Sequence, residues 1–461
     1  MSQDSPFKNK SFLKLFTAQI IALVGTGLST IALALLAYDF ALNEAGKVLG
    51  FALAFKMVAY VVFAPIIGGF VHKIPRKLFL ILMDVLRALV VLLIPFISEI
   101  WHIYALIFIL NLFSAGFKPV FQALIPDILT NDKQYGKALS YSRVAYDLEN
   151  ILSPSLAGLA LLYISYSGLF ILNSLAFLVS AMIIIFTLTP KSQSLERTGN
   201  TFDEIFYGIR SYFKTPRLRA LFILYFGIAL SSSMIIVNTV IYVKNYLYLN
   251  DTAVAIFMAT SGLGSMIIAF MYSSINEKIT DKRITQFGVF ILVIGMLLLS
   301  SEPAVYLSLL TWFVIGIGLS LAQIPTGKIV NESANPSDRT AYFTAQFSLS
   351  HLSWFFAYLL AGQLTFVFGF GFTSILFAMV VTVCLLFSFL FWPNEDSSGN
   401  LKHTHDEIHH SHIHRHNDEH HQHEHLPDNI DEHEHSHEHP SFTHDHKFAI
   451  DIHHQRWPNN D

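Results

Sequence analysis

Ser142–Gly158 reads SRVAYDLENILSPSLAG and sets Arg143, Asp147 and Glu149 inside an otherwise apolar stretch. In hydrocarbon a charge costs several kcal/mol unless it is paired or lines a water-filled path, so ionisable residues at that depth are candidates for a transport pathway. Arg143 and Asp147 stand at i and i+4 and share a helix face, whereas Asp147 and Glu149, two apart, point to different faces. Two readings stay open here: a structural ion pair with Arg143, or carboxylates that bind a proton or a cation.

Working outward, composition makes the surroundings a membrane body. The chain has 461 residues, 53% hydrophobic and 13% charged, with 41 Phe and mean hydropathy +0.49. A soluble globule carries about 25% charged residues. One cysteine, Cys384, excludes an internal disulfide framework and a cysteine-based metal site. From Asn394 onward there are 15 Asp/Glu against 4 Lys/Arg, a net of −11, which leaves the preceding body at +7. The first apolar run is longer than the 7–15 residues of a signal-peptide core, so it is expected to be retained as a span.

Runs of about 20 apolar residues can each cross the bilayer as a helix. Twelve are expected: Phe12–Tyr38, Val48–Val71, Leu78–Phe96, Ile103–Ile125, Leu139–Ile164, Gly168–Leu188, Ala220–Tyr242, Ala253–Ile275, Ile284–Ser300, Ala304–Val330, Ala341–Phe366 and Gly369–Trp392. Basic residues crowd alternate connections: Lys8, Lys10 and Lys14; Lys73, Arg76 and Lys77; Lys133 and Lys137; Lys278, Lys282 and Arg283; Arg339. Retention of Lys and Arg on the inner side places both termini in the cytoplasm, and a bacterial inner membrane is the expected location. The connection 190–219, polar and then amphipathic, divides an N-terminal half, 1–189, from a C-terminal half, 220–393, with six spans in each. PVFQALIPDILTNDKQYGKALSYSRV from Pro119 and PTGKIVNESANPSDRTAYFTAQFSL from Pro325 occupy equivalent places at the exits of spans 4 and 10, a faint internal repeat. The tail, 394–461, turns to His, Asp, Glu, Ser and Asn without apolar periodicity, and is expected to stay disordered without a ligand.

Two strings carry a family resemblance. GGFVHKIPRKLFLI, Gly68–Ile81, resembles the loop between helices 2 and 3 of the major facilitator superfamily, G-x-x-x-D-x-x-G-R-[RK]: Gly68, Arg76 and Lys77 match, His72 replaces the acid and Pro75 the second glycine. SPSLAG resembles the helix 5 motif G-P-x-x-G-G of its proton-coupled exporters, with Pro154 and Gly158 in place and Ser153 and Ala157 replacing glycines. The implied fold is all-α, twelve helices in two six-helix halves. LFTAQIIALVGTGLSTIALALLAYDF, FKMVAY and SRVAYDLENILSPSL, joined to a His-rich C-terminus, are similar to the bacterial nickel-resistance exporters of Nre type. That similarity implies export of Ni²⁺, with Co²⁺ or other divalent ions as relatives, by proton antiport.

The tail holds 19 of 22 histidines. HTHDEIHHSHIHRH supplies His403, His405, His409, His410, His412, His414 and His416; HHQHEH supplies His420, His421, His423 and His425; HEHSHEH supplies His433, His435, His437 and His439. Neutral imidazoles suit Ni, Cu and Zn, and their ordinary pKa near 6.5 keeps them available as ligands at neutral pH. In the helix arrangement that the resemblance implies, Lys56 in span 2 and His351 in span 11 are expected to meet at a central cavity, with His351 as a ligand, a proton acceptor or a hydrogen-bonding core residue and Lys56 repelling a divalent cation or holding Asp147 or Glu149 while the site is empty. Asp84 and Arg87, three apart, are expected to pair structurally. Lys118 is expected to snorkel or to anchor gating contacts. No P-loop, nucleophile elbow or zinc-hydrolase motif occurs, so neither an enzyme nor an ATP-driven pump is expected. The expected partners are a divalent ion as substrate and tail ligand, protons and lipid, with no prosthetic group, no nucleic acid and a monomeric chain. An organic solute or metal chelate as cargo, with the tail as accessory, and a membrane-anchored metal store or sensor are the alternatives.

Overall fold

The computed structural model describes residues 5–41, 52, 55–71, 74–190, 201–336, 338–393, 400–405, 408–415, 432–439 and 442–447. Contacts divide the chain into two units, Met1–Pro393 and Asn394–Asp461.

The first unit is helical. Its first half contains α1 (Lys10–Ala41), α2 (Phe55–Gly68), α3 (Arg76–Leu93), α4 (Ile100–Ile128), α5 (Asp132–Ala160) and α6 (Tyr166–Ile185). Within the connection, α7 (Thr201–Lys214) forms where the sequence turns amphipathic. The second half contains α8 (Pro216–Ile241), α9 (Asp251–Asn276), α10 (Asp281–Ser300), α11 (Val305–Gln323), α12 (Thr326–Glu332), α13 (Arg339–Phe368) and α14 (Phe370–Phe391). Pro325, which donates no backbone hydrogen bond, stands at the break between α11 and α12 and divides the tenth expected span. Exposed large side chains such as Leu93, Phe96, Leu162, Phe366 and Leu390 lie on the outside of the bundle, where lipid tails accept them at no hydrophobic cost.

Among the described residues ten helices are long and apolar enough to cross a membrane, against twelve expected. The two that fall short are the second and fifth. Phe55–Gly68 is apolar but short within the described residues. Asp132–Ala160 is long, and the same charged residues that single it out lower its hydropathy.

Helix pairing repeats between the halves. In the first, α1 packs on α5 and α6, and α3 on α4 and α6; in the second, α8 packs on α13 and α14, and α10 on α11 and α14. These are the same pairs six spans later, the arrangement of an internal two-fold repeat. Across the halves, α5 packs on α9 and α2 on α13, again equivalent pairs. Small residues permit such closeness: a Cβ on Gly68 would stand 2.7 Å from the Thr344 methyl, so only glycine lets α2 approach α13 there.

The tail unit has paired strands among its described residues. Its described residues include β1 (Asn400–His405) paired antiparallel with β4 (Phe442–Lys447), and β2 (Ile408–Arg415) paired with β3 (Glu432–His439). The His-x-His alternation has the two-residue period of a strand, which composition alone conceals. His410, His412 and His414 stand opposite His437, His435 and His433, and His403 opposite His444.

Candidate functional site

The two halves are bridged at the end bearing the basic connections. Arg76 opens α3 directly after Pro75, and Asp127 sits in the last turn of α4. Arg339 opens α13 in the other half. Arg76 donates to one oxygen of Asp127 and Arg339 to the other, so one carboxylate fastens an arginine from each half. These groups are largely buried, at 8%, 16% and 17% side-chain exposure, which makes the removal of one partner costly. Nearby, the Tyr135 hydroxyl donates to the Gly327 carbonyl at 3.0 Å, and Lys133 pairs with Glu277 at 3.3 Å. Asp281 accepts from Tyr272 at 2.6 Å and Asn276 at 2.8 Å and pairs with Lys328 at 3.3 Å, bracing the second half's share of this end. The linker helix joins in: Tyr207 donates to Asp338 at 3.0 Å, and Tyr212, whose phenol burial pushes well above its usual pKa, is a neutral donor to Gln346.

Deeper in, Arg143 crosses between halves. Its Nε donates to Ser265 Oγ at 3.0 Å and its Nη1 to Gln323 Oε1 at 3.2 Å. The Ser348 hydroxyl donates to the Val61 carbonyl at 2.7 Å, tying α13 to α2.

Beside that tie lies an aromatic site. The backbone of α2 widens into a π-turn at Ala59–Phe63, a local irregularity that recurs at functional sites, and Tyr60 stands in it, 3% exposed. Phe347 packs on Tyr60 at 5.0 Å between ring centroids, and His351 meets the same ring edge-on at 4.8 Å. Trp354 stands edge-on to His351 at 5.4 Å. His351 Nδ1 is 2.7 Å from the Phe347 carbonyl, which can only accept, so the neutral ring carries its proton on Nδ1 and keeps a lone pair on Nε2. Two ammonium groups complete the site: Lys56 Nζ lies 5.7 Å from the Tyr60 centroid and Lys118 Nζ 5.5 Å.

The structure thus brings Lys56 and His351 to one ring. Lys118, expected to snorkel or anchor a gate, lies over Tyr60, its place on α4 turning it inward toward α2. Asp84 is fully buried, pairs with Arg87 and accepts from Ser180 at 2.7 Å, while the Arg87 guanidinium is sandwiched by Phe117 and Phe177 at 4.1 and 4.4 Å. Asp147, Glu149, Ser153, Pro154 and Gly158 are on α5, but their side chains, with His72, lie outside the described residues. So do the tail's side chains; His416, His420, His421, His423 and His425 are outside altogether. Lys77 stays half-buried at the start of α3. Sequence reasoning missed Asp127, Tyr60 and Trp354 and read Arg339 only as a marker of orientation. Asp127 follows Pro126 at a helix end, a weak signal, and an aromatic residue within an apolar run gives none.

The profile of the Major Facilitator Superfamily matches residues 15–228 and again 221–419. The chain belongs to that superfamily. Among its superfamily relatives, the MFS-type transporter YfiS of Bacillus subtilis (strain 168) is 26% identical over 194 residues, 42% of this chain and 46% of that protein. The multidrug resistance protein MdtG of Enterobacter lignolyticus (strain SCF1) is 29% identical over 194 residues, 42% of this chain and 44% of that protein. Each of these alignments thus spans under half of the relative's length. In structure, the human organic anion transporter MFSD10 (TETRAN) superposes with TM-score 0.71 at 13% identity, over 84% of this chain and 100% of that one, and shares the superfamily fold.

Proposed function

We propose that this superfamily member is a secondary-active exporter of an organic solute, working by alternating access, with Asp147 and Glu149 exchanging protons and the histidine-rich tail as an accessory metal binder. The observation that carries the reading is the aromatic site held jointly by α2, α4 and α13. Rings from both halves meet there, Tyr60 and Phe347 buried against each other and His351 and Trp354 only partly buried beside them, whereas two ammonium groups beside the imidazole repel a bare divalent ion. Sequence similarity to part of a multidrug resistance protein supports the same class of cargo. Closure of the basic end by Asp127 supplies one of the two states that alternating access requires. The basic connections make that end cytoplasmic.

A second reading, export of Ni²⁺ or a related divalent ion, draws on the tail and on the resemblance to nickel-resistance exporters. It needs several ligands from the helices, and among the described residues no group of three His, Cys, Asp or Glu comes together. Asp147 and Glu149 are the residues that could supply them.

Everted inner-membrane vesicles under an imposed proton gradient separate the two, using the full chain and one ending at Asp396. Gradient-driven uptake of an organic panel by both chains, with no uptake of radiolabelled Ni²⁺, is the expected result. Uptake of Ni²⁺ by both, with no organic solute moved, overturns it in favour of metal export from a helical site. Binding of Ni²⁺ by the full chain alone, with no transport of either cargo, points to a metal store.

A further inference from the structure

Lys56 and Lys118 come from different helices, and each directs its ammonium at the Tyr60 ring. Neither makes an ion pair or hydrogen bond with another described residue. Two like charges brought half-buried to one ring at membrane depth are costly unless something of opposite charge joins them. Cation–π attraction to a single tyrosine offsets only about 0.5–2 kcal/mol for each. Trp354 adds a second kind of donor, since its buried indole N–H has no acceptor among the described residues. The carbonyl of Phe347 and the hydroxyl of Ser348 are already engaged, by His351 and Val61. What is left over is two ammonium groups and an indole N–H, beside the lone pair on His351 Nε2.

We propose, building on the organic-solute reading above, that this site takes an organic anion. Its carboxylate or sulfonate would lie between the ammonium groups of Lys56 and Lys118, and its apolar body against Tyr60, Phe347 and Trp354. The lone pair on His351 Nε2 turns away an unprotonated second anion and accepts a hydrogen bond from a solute hydroxyl or amide. A divalent cation is refused by the same two lysines.

The test is equilibrium binding of tritiated naphthoate to the purified full chain in phosphatidylcholine nanodiscs, with naphthalenemethanol and naphthylmethylammonium as neutral and cationic competitors of the same body. Naphthoate should bind best, and Lys56→Gln and Lys118→Gln should each weaken it by at least about tenfold, the factor one charge-assisted hydrogen bond confers. Lys56→Arg and Lys118→Arg should restore most of that loss, and the neutral alcohol should lose less affinity than naphthoate in the glutamine variants. Preference for the cation, or glutamine variants that bind naphthoate like the parent, overturns the anion assignment. If the alcohol or the cation binds in a manner abolished by Tyr60→Ala while naphthoate does not, the anion inference fails and the organic-solute reading stands. If none of the three binds, both fall. Repeating the measurement with phosphatidylglycerol in the nanodisc identifies the source of the anion. Unchanged naphthoate affinity assigns the site to soluble anions, and a lysine-dependent loss assigns it to lipid headgroups.

Discussion

Asp127 receives Arg76 with one oxygen and Arg339 with the other, so replacing it by alanine leaves two guanidinium groups facing each other across the halves. The expected outcome is a shift of about tenfold or more toward the state open at the basic end, since each lost charge-assisted bond is worth about 1.5–3 kcal/mol. Gly327→Cys, placed beside Tyr135, should then react faster with a maleimide added from that side, and Asp127→Glu should restore slow labelling. Asp84 makes a different prediction. It is fully buried with Arg87, so Asp84→Asn strands a cation among rings and should cost about 3–5 kcal/mol, read as a lower unfolding temperature in detergent. Asp84→Leu combined with Arg87→Met should recover much of that. Single residues were unevenly legible in the sequence. Charges in apolar runs announce themselves, which is why Lys56, His351, Asp84 and Arg87 could be named with their helices. Tyr60 and Trp354 could not, because an aromatic side chain in such a run is as well suited to lipid or core as to a solute. Lys118 was visible but its aromatic neighbour was not, since one residue's rotation about a helix axis decides what it meets.

Among the elements, α2 carries the most consequence. It bears the π-turn that presents Tyr60 and, two helical turns later, the glycine that meets Thr344. Gly68→Leu should hold α2 away from α13, slow transport by about an order of magnitude and leave the chain folded, since a lipid-immersed helix loses little else by moving outward. Thr344→Ala in the same chain should return part of the rate, measured as solute flux into everted vesicles. Length and hydropathy revealed most helices because twenty apolar residues have few other uses. The fifth is the exception that its own chemistry explains: charged residues that suit a pathway through the membrane make its helix look less like a span. The tail's strands were written in the histidine alternation, and composition drew attention to the imidazoles before their spacing.

For the whole molecule, pairing of equivalent helices within and between halves makes the body two similar blocks meeting along α2 with α13 and α5 with α9. The division at 190–219 was legible because the connection is the longest polar stretch inside the body. The conformational state was not, because it is decided by bridges such as Asp127 to Arg339, whose partners lie 212 residues apart in the chain. Residues up to Pro393 form one unit by their contacts, so a chain ending at Asp396 should retain its unfolding temperature within a few degrees in the same detergent. The linker helix α7 lies between the halves in sequence, and it packs on α2 of the first as well as on α13 of the second. Gly208 brings its backbone against the Ala341 carbonyl, and Tyr207 and Tyr212 bond to residues at either side of that point. Peptide continuity is therefore not what keeps the blocks together. Two polypeptides encoded separately, the first ending at residue 190 and the second starting at 201, should find each other in the bilayer and co-purify as a working pair.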